Sequence, residues 1–539
     1  MKSRLSTNES EIQSDFCARL DRIMKWLLIG TLRIFIVLVS MLYCSQQSFA
    51  SVNIPLDSSF YQDIDILIAH GLIKSGLSST KPFTRAEAGR LLAEAIDYGE
   101  TEGISPLASE ILDRLTQYYG EEIAEARMPA SAPRTYLKPL DEFSITYARL
   151  DGPFYVFNNE GIEYFDGGNG VVQFQSSARL WRVFTFFVEP MYTYNQKYGG
   201  VERNRETDLK LHKAYLKLSI GNFEIQVGKD SLWWGPGYHG ALVISNNARP
   251  FNMIKISNPQ ATLLPWFLRG LGPFRYNVFF SILHESAPLD HPPDSKLFGL
   301  RFDFKPRPTV ELGVSYLIHF DGDRPGIEDL DFSDYASILF SNTDRCGDKR
   351  DNNKQIAIDA SLTIPHLSEK TPVTDSIKLY FEWGAEHSGD PPDRRGYIIG
   401  TAFKDIFTIR GLQLRGEYAR LSPESVPTAW YGHPIWPMRY YGREFGHHLG
   451  TNSDDLFFEL SHRVNLKCFY KVGFDRERTG LSREHTQEKD QFFVEAGYDF
   501  KERSNLTVRY WYEHIDNLDN VQDAEQENHF MGAELTFRF

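Results

Sequence analysis

The sequence predicts a mainly β protein, a transmembrane antiparallel β-barrel of about eighteen strands preceded by a small α-helical N-terminal segment. Three observations carry this prediction. Apolar and polar residues alternate over most of the chain after Asp141. The chain ends on an apolar alternating strand whose last residue is Phe539. Mean hydropathy is negative, at -0.38, although 14% of the 539 residues are aromatic, with 39 Phe and 27 Tyr. A bundle of apolar helices does not combine these values, whereas a barrel does, because only every second strand residue faces lipid.

From the start of the chain, an apolar run over Ile34–Tyr43 follows Arg22, Lys25 and Arg33 and precedes Ser48-Phe49-Ala50, a small-x-small cleavage signal. This reads as a secretory signal peptide over residues 1–50, cut after Ala50, with an uncleaved N-terminal anchor as the competing reading. At roughly 10 residues the run is short for a bilayer span. Tyr43 before Cys44 does not suit a lipoprotein signal, and Met24 is an alternative start. Beyond residue 50 only Cys346 and Cys468 remain, which is no disulfide framework, and whether they pair stays open. Neither CxxC nor Cys/His zinc spacing appears, so no metal and no cofactor is expected. Of 58 basic and 72 acidic residues, the first 50 positions hold 6 and 4, leaving 52 against 68, a net of -16. Nucleic acid is excluded as a partner, since phosphate binding needs a basic stripe.

Residues 51–130 read as a periplasmic helical segment of three short amphipathic helices. Phe60, Ile64, Leu67 and Ile68 have helical spacing and Gly71 stops it. Thr84-Arg85-Ala86-Glu87 has capping-box spacing before Ala88, Leu91, Leu92 and Ala95. Ile111, Leu112, Leu115, Tyr119 and Ile123 share one side of a third stretch, and Pro129, Pro133 and Pro139 follow as a linker. The phrase Lys81-Pro82-Phe83-Thr84-Arg85-Ala86-Glu87 loosely resembles an S-layer-homology unit, which implies cell-wall polymer binding. The competing reading is a small cap packed on itself or on the barrel.

Residues 140–539 read as the outer-membrane barrel. Phe298, Leu300, Phe302 and Phe304 share one face, and so do Leu506, Val508, Tyr510 and Tyr512. Strands are expected to begin near Phe143, Val171, Val183, Leu209, Phe223, Ala241, Phe274, Leu297, Val310, Ile356, Ile377, Tyr397, Leu412, Leu456, Leu466, Phe492, Leu506 and Phe530. Connections after odd strands are mostly long, as over 321–353 and 422–454, and those after even strands mostly short, as at Gly221-Asn222. That rhythm is expected when both barrel ends lie in the periplasm. Ala533, Leu535, Phe537 and Phe539 form a terminal face of the kind read by the β-barrel assembly machinery, and a monomer surrounded by outer-membrane lipid is expected.

Function points to the stretch from Gly228 to Pro250. Trp233 and Trp234 beside Gly235-Pro236-Gly237 cannot be regular strand. Their indoles, with Tyr238, offer flat faces, while Asn246, Asn247 and Arg249 offer polar groups, a set that suits sugar rings. Trp430 and Trp436, in a loop rich in aromatics, form a candidate second wall. The competing reading is a loop folded into the lumen, where Trp233 and Trp234 pack and Arg249 pairs with an acidic wall residue.

Trp234-Gly235-Pro236-Gly237, then Gly240-Ala241-Leu242 and Ser245-Asn246-Asn247-Ala248-Arg249-Pro250, resembles the signature of the Wzi family of capsule assembly proteins. The resemblance implies an eighteen-stranded outer-membrane barrel with a helical N-terminal segment, acting as a lectin for extracellular polysaccharide, with no catalytic residue. Two other classes remain open. A diffusion channel would use the acidic stretch from Asp321 to Asp334 as its constriction. A hydrolase would draw on Ser422, His433, His447, His448 and Asp454, which lack recognisable catalytic spacing. The His447-His448 pair reads as solvated or loosely metal-binding.

Overall fold

The computed structural model describes residues 49–539 apart from 103, 129–133, 198–204, 285–290, 341–347, 387–394, 423–429 and 502–503. The signal-peptide expectation for residues 1–48, the linker prolines Pro129 and Pro133, and Cys346 therefore fall outside the described residues. Cys468 is free and half-buried.

Eighteen strands among the described residues close into one barrel. They are β1 (Tyr136–Asp151), β2 (Gly167–Leu180), β3 (Phe184–Lys197), β4 (Arg205–Ile220), β5 (Phe223–Asp230), β6 (Phe251–Ser257), β7 (Pro273–Leu283), β8 (Ser295–Arg307) and β9 (Val310–Phe320). The rest are β10 (Asn352–Ile364), β11 (Ser376–Glu386), β12 (Arg395–Lys404), β13 (Leu412–Leu421), β14 (Ser453–Arg463), β15 (Cys468–Thr479), β16 (Gln487–Lys501), β17 (Ser504–Asp516) and β18 (Glu525–Arg538). Neighbours in sequence pair antiparallel, and β1 closes on β18 from Glu142↔Arg538 to Asp151↔His529. Closure leaves no strand edge exposed to lipid, which every spanning sheet requires.

The pleat sorts the side chains. On β8, Phe298, Leu300, Phe302 and Phe304 point out, while Arg301 and Asp303 point in and are fully buried. Outward apolar residues recur around the wall, among them Ile145, Leu211, Ile254, Ile356, Phe381, Ile399, Phe458, Val494 and Met531. So large an exposed apolar belt over a polar interior is stable against lipid and not against water. Among the described residues, no helix is long and apolar enough to cross a membrane.

The expected strand starts fall at or close to the observed ones, with one correction. The sixth strand was expected near Ala241 and begins at Phe251. Ala241 lies in a segment that leaves the wall and enters the lumen. Pro139, expected in a linker, lies within β1, where the pairing with β2 shifts register between Lys138 and Glu142. A bulge is where a strand tolerates a residue without an N–H.

Among its described residues the head forms four helices rather than three: α1 (Phe60–Ala69), α2 (Arg85–Glu102), α3 (Pro106–Tyr118) and α4 (Gly120–Arg127). The expected third helix breaks at Tyr119-Gly120. Thr84 caps α2 by accepting the Glu87 N–H at 3.1 Å, while the Glu87 carboxylate turns to Arg90 instead of closing the box. The head has its own apolar core, including Phe60, Ile64, Phe83, Leu91, Ile111 and Ile123. It fills the barrel mouth at the short-turn end and is held by wall residues. Glu311 accepts the Ser79 N–H at 2.7 Å, Asp303 accepts the Thr80 hydroxyl at 2.6 Å, and Asp63 meets Arg463 at 3.4 Å. His70 lies 3.2 Å from Asp375 and 3.3 Å from Asp405, both in short turns. Burial disfavours its charged ring, yet these two carboxylates outweigh that and hold its pKa up at about 9.

Candidate functional site

Between β5 and β6, residues 231–250 do not project outward. They turn into the lumen, and all but Tyr238 and Arg249 are buried. Trp233 and Trp234 pair antiparallel with Lys81 and Thr80 of the head, and the Gly235 N–H donates to Ser79 O at 2.8 Å. A backbone inside a lumen has to find partners. Glu417 of β13 supplies three, accepting the N–H groups of Tyr238, His239 and Gly240 at 2.8, 3.2 and 3.2 Å. Glu382 of β11 accepts the Leu242 N–H at 3.1 Å. The glycines permit this closeness: a Cβ at Gly235, whose φ is +138°, would lie 2.6 Å from Glu382, and one at Gly240 would lie 2.1 Å from His447.

The long loop between β13 and β14 closes over this segment. The Tyr431 hydroxyl donates to Leu242 O at 2.5 Å and accepts the His447 N–H at 2.8 Å. Burial pushes that phenol well above its ordinary pKa, so it stays a donor. The Ser245 N–H donates to Phe445 O at 2.6 Å. Asn247 donates to Glu444 O at 3.2 Å and accepts the Tyr155 hydroxyl at 3.1 Å, while Asn246 donates to Asn158 O at 2.9 Å. The two amides therefore join the β5–β6 insertion to two outer loops. Glu160, in the loop between β1 and β2, lies 2.6 Å from Lys213. Burial would raise its pKa, but Lys213 and His212 hold it down at about 2.

These contacts place the eight expected glycan residues. Trp233, Trp234, Trp430 and Trp436 are buried, as are Asn246 and Asn247. Trp233 donates to Gly235 O at 3.1 Å and Trp436 to Asp321 O at 2.7 Å. Tyr238 is half-buried, donates to Glu459 at 3.1 Å and lies under Arg415 at 3.4 Å. Arg249 alone of the eight reaches the long-loop surface. Its guanidinium lies 4.4 Å from the Tyr441 ring centre and 3.0 Å from Glu163. Arg249 thus pairs with a loop carboxylate and not with the wall.

The residues of the rival classes are also engaged. The Ser422 hydroxyl accepts the Trp430 N–H at 2.7 Å, and Asp454 is held by Arg478 at 2.6 and 2.8 Å. His433 accepts the Ile435 and Trp436 N–H groups at 3.2 and 3.1 Å. No nucleophile–base pair joins them among the described residues. In the acidic stretch, Asp321 pairs with Lys296 at 2.9 Å and Asp334 with Lys349 at 2.7 Å. The head phrase that resembles an S-layer unit is engaged as well, since Arg275 donates to Pro82 O at 3.1 Å and, just before the phrase, to Thr80 O at 3.3 Å. Sequence reading missed Glu417 and Glu382, because a wall carboxylate that caps a distant loop leaves no local pattern.

A closed eighteen-stranded barrel of the outer-membrane type, plugged at one end by its own head and at the other by its own loops, is the class that fold and site define. The family described as "Capsule assembly protein Wzi" matches residues 151–530, and the chain belongs to that family. It is similar to an uncharacterized 55.8 kDa protein in the cps region of Klebsiella pneumoniae, 25% identical over 281 residues. That match covers 52% of this chain and 49% of the relative, so the chain matches about half of the relative's length. Among solved structures it is similar to Wzi of Escherichia coli, described as an outer-membrane protein involved in group 1 capsule assembly and a carbohydrate-binding β-barrel. That likeness has a TM-score of 0.65 and 17% identity, and covers 90% of this chain and 99% of the other.

Proposed function

We propose that this protein sits in the outer membrane and holds exported capsular or other extracellular polysaccharide at its long-loop face during capsule assembly. The observation that carries the reading is Arg249. It is the one expected glycan residue at that face, and it is poised over the Tyr441 ring on a platform stiffened by Asn246 and Asn247. A guanidinium beside an aromatic face can bond sugar hydroxyls or carboxylates while a ring stacks beside it. In this reading Arg249 and Tyr441 touch the polymer, and Trp233, Trp234, Trp430 and Trp436 hold the platform from beneath. Likeness to a carbohydrate-binding barrel supports the assignment. Residues 1–50 act as the export signal. Phe539 carries the assembly signal, its side chain exposed and its N–H donating to Asp141 O at 3.0 Å. The barrel works as a monomer.

The test compares cell-bound with shed long-chain polysaccharide in the native organism, with the gene deleted and then restored as wild type or as Arg249→Ala. Deletion is expected to move polymer from cells to medium at unchanged total, and Arg249→Ala to reproduce most of that shift with the barrel assembled. Unchanged retention in the deletion strain ends the tethering reading. The channel reading then rests on two cavities of about 190 and 260 Å³ that share Asp57, Glu142, Arg509 and Glu534 along one side of the lumen. Planar-bilayer conductance decides it.

A further inference from the structure

Beneath the platform, where the inserted segment and the β13–β14 loop meet the wall, four buried side chains converge. They are His239 from the insertion, His448 from the loop, Asp455 on β14 and Asp475 on β15. One ligand atom from each lies within 4.8 Å of all the others. His239 Nε2 stands 3.2 Å from Asp475 Oδ2 and 3.3 Å from Asp455 Oδ2. Zinc–ligand bonds of about 2.0–2.2 Å set tetrahedral edges of roughly 3.3–3.6 Å, so both edges that meet at His239 already come close to those of such a site.

The hydrogen bonding points the same way. Among the described residues, Asp455 Oδ1, Asp475 Oδ1 and His448 Nδ1 are buried without a partner. Three unsatisfied polar atoms in one buried cluster are costly unless something binds them. His448 is also oriented, with Nε2 3.2 Å from Glu477 Oε1. When that nitrogen donates to the carboxylate, Nδ1 keeps its lone pair, which is the outer-shell arrangement that prepares a histidine as a metal ligand. Glu477 is steadied in turn by Lys489 at 2.7 Å.

We infer that His239, His448, Asp455 and Asp475 form a binding site for one divalent transition-metal ion of the zinc type. Two carboxylates, two neutral imidazoles and a dication sum to zero charge, which suits a buried site. A nitrogen–oxygen donor set with two histidines favours zinc over calcium or magnesium, which prefer all-oxygen shells. His448 offers a nitrogen within 4.8 Å of the other ligand atoms, so reaching tetrahedral distance takes at most ~1.5 Å, within the reach of side-chain rotation. The ion would join the insertion and the covering loop to β14 and β15, locking the long-loop closure. The competing arrangement is a metal-free one, with a proton shared between the Asp455 and Asp475 carboxyls, which hydrogen-bond to each other, and His239 protonated beside them; it leaves His448 Nδ1 unsatisfied. The inference does not depend on what the outer face binds.

The test uses the full-length protein in detergent, treated with chelator and titrated with Co(II) and then Zn(II). One equivalent of Co(II) is expected to bind with the intense visible absorption of a tetrahedral site, and Zn(II) to displace it. Asp475→Asn and His239→Gln should weaken binding by roughly 100-fold or more, and Glu477→Gln, which only orients His448, by about 10- to 100-fold. Asp490→Asn, which breaks the partly exposed ion pair with Arg476, should change nothing and controls for loose surface binding. No stoichiometric uptake by the folded wild type overturns the site, and so does uptake undiminished in Asp475→Asn. If a ligand variant fails to assemble, the wild-type titration and Glu477→Gln still decide the matter.

Discussion

The two ends of the lumen are closed by opposite means. At the short-turn end the head brings a core of its own, built around Phe60, Leu67, Phe83, Leu91 and Ile111, and meets the wall mainly through ion pairs and hydrogen bonds. At the long-loop end there is no separate core. Leu232, Trp234, Leu242 and Ile244 pack with wall residues Phe279, Ala357 and Tyr380 and with Trp430, Tyr431 and Phe445 in one cluster. A plug with a private core can leave without unfolding the wall. A plug that shares the wall's core cannot, because its removal opens cavities in the wall itself.

The sharpest way to break this contrast is Trp234→Ala. The indole is fully buried against Phe279, with ring centres 5.4 Å apart. Truncation is expected to cost about 3–5 kcal/mol of barrel stability, read as a lower denaturant midpoint in detergent. An unchanged midpoint would show that the long-loop closure is as separable as the head.

Asp63→Ala makes the matching cut at the other end. Asp63 is buried between Arg114, at 2.6 Å, and Arg463, at 3.4 Å. Its loss leaves two guanidiniums without their shared carboxylate and should cost about 3 kcal/mol of head docking. Limited proteolysis is expected to clip the head sooner while the barrel midpoint holds. Parallel loss of both would mean that the head and the wall unfold together.

A gentler test of the head uses pH. The His70 pKa is raised from 6.5 to about 9 in the folded protein, so its charged form favours the docked state. That contribution is complete below about pH 6.5 and is lost as pH rises through about 9. Backbone protection in α1, with the intrinsic base-catalysed rise of amide exchange divided out, should therefore fall between those limits, and Asp405→Asn should flatten the profile. Corrected protection that stays constant over this window would remove His70 from the docking contact.

The same contrast explains how much could be read from the sequence. Lipid-facing strands announce themselves, because their outward residues must be apolar at every second position whatever lies inside. Phe298 to Phe304 is such a case. The sixth strand begins later than expected because Leu242–Ile244 is apolar for another reason, burial in the shared lumen core. The head's helices were legible from helical spacing, but the break at Tyr119-Gly120 was not, since the apolar side runs on through Ile123. For the tryptophans, composition alone could not separate sugar platform from packed loop, because both need the same flat side chains. Glu417 and the histidine–aspartate cluster stayed invisible for a plainer reason. Their partners come from chain segments far apart in sequence, and only barrel closure brings them together.

The smallest expected effect on stability is the one most telling for function. Arg249 lies near the surface, and its partner Glu163 is exposed, so the pair contributes about 1 kcal/mol or less. Arg249→Ala should therefore leave the barrel midpoint within that margin, in contrast to Trp234→Ala a few residues away. If polysaccharide retention nevertheless falls, the loss cannot be charged to a collapsed platform, because the variant retains Asn246, Asn247 and the buried tryptophans beneath. Tyr441→Ala should show the same pattern, as the ring beside the guanidinium. If retention fails only in variants that also lower the midpoint, the long-loop face acts through its shape alone and Arg249 is not a contact.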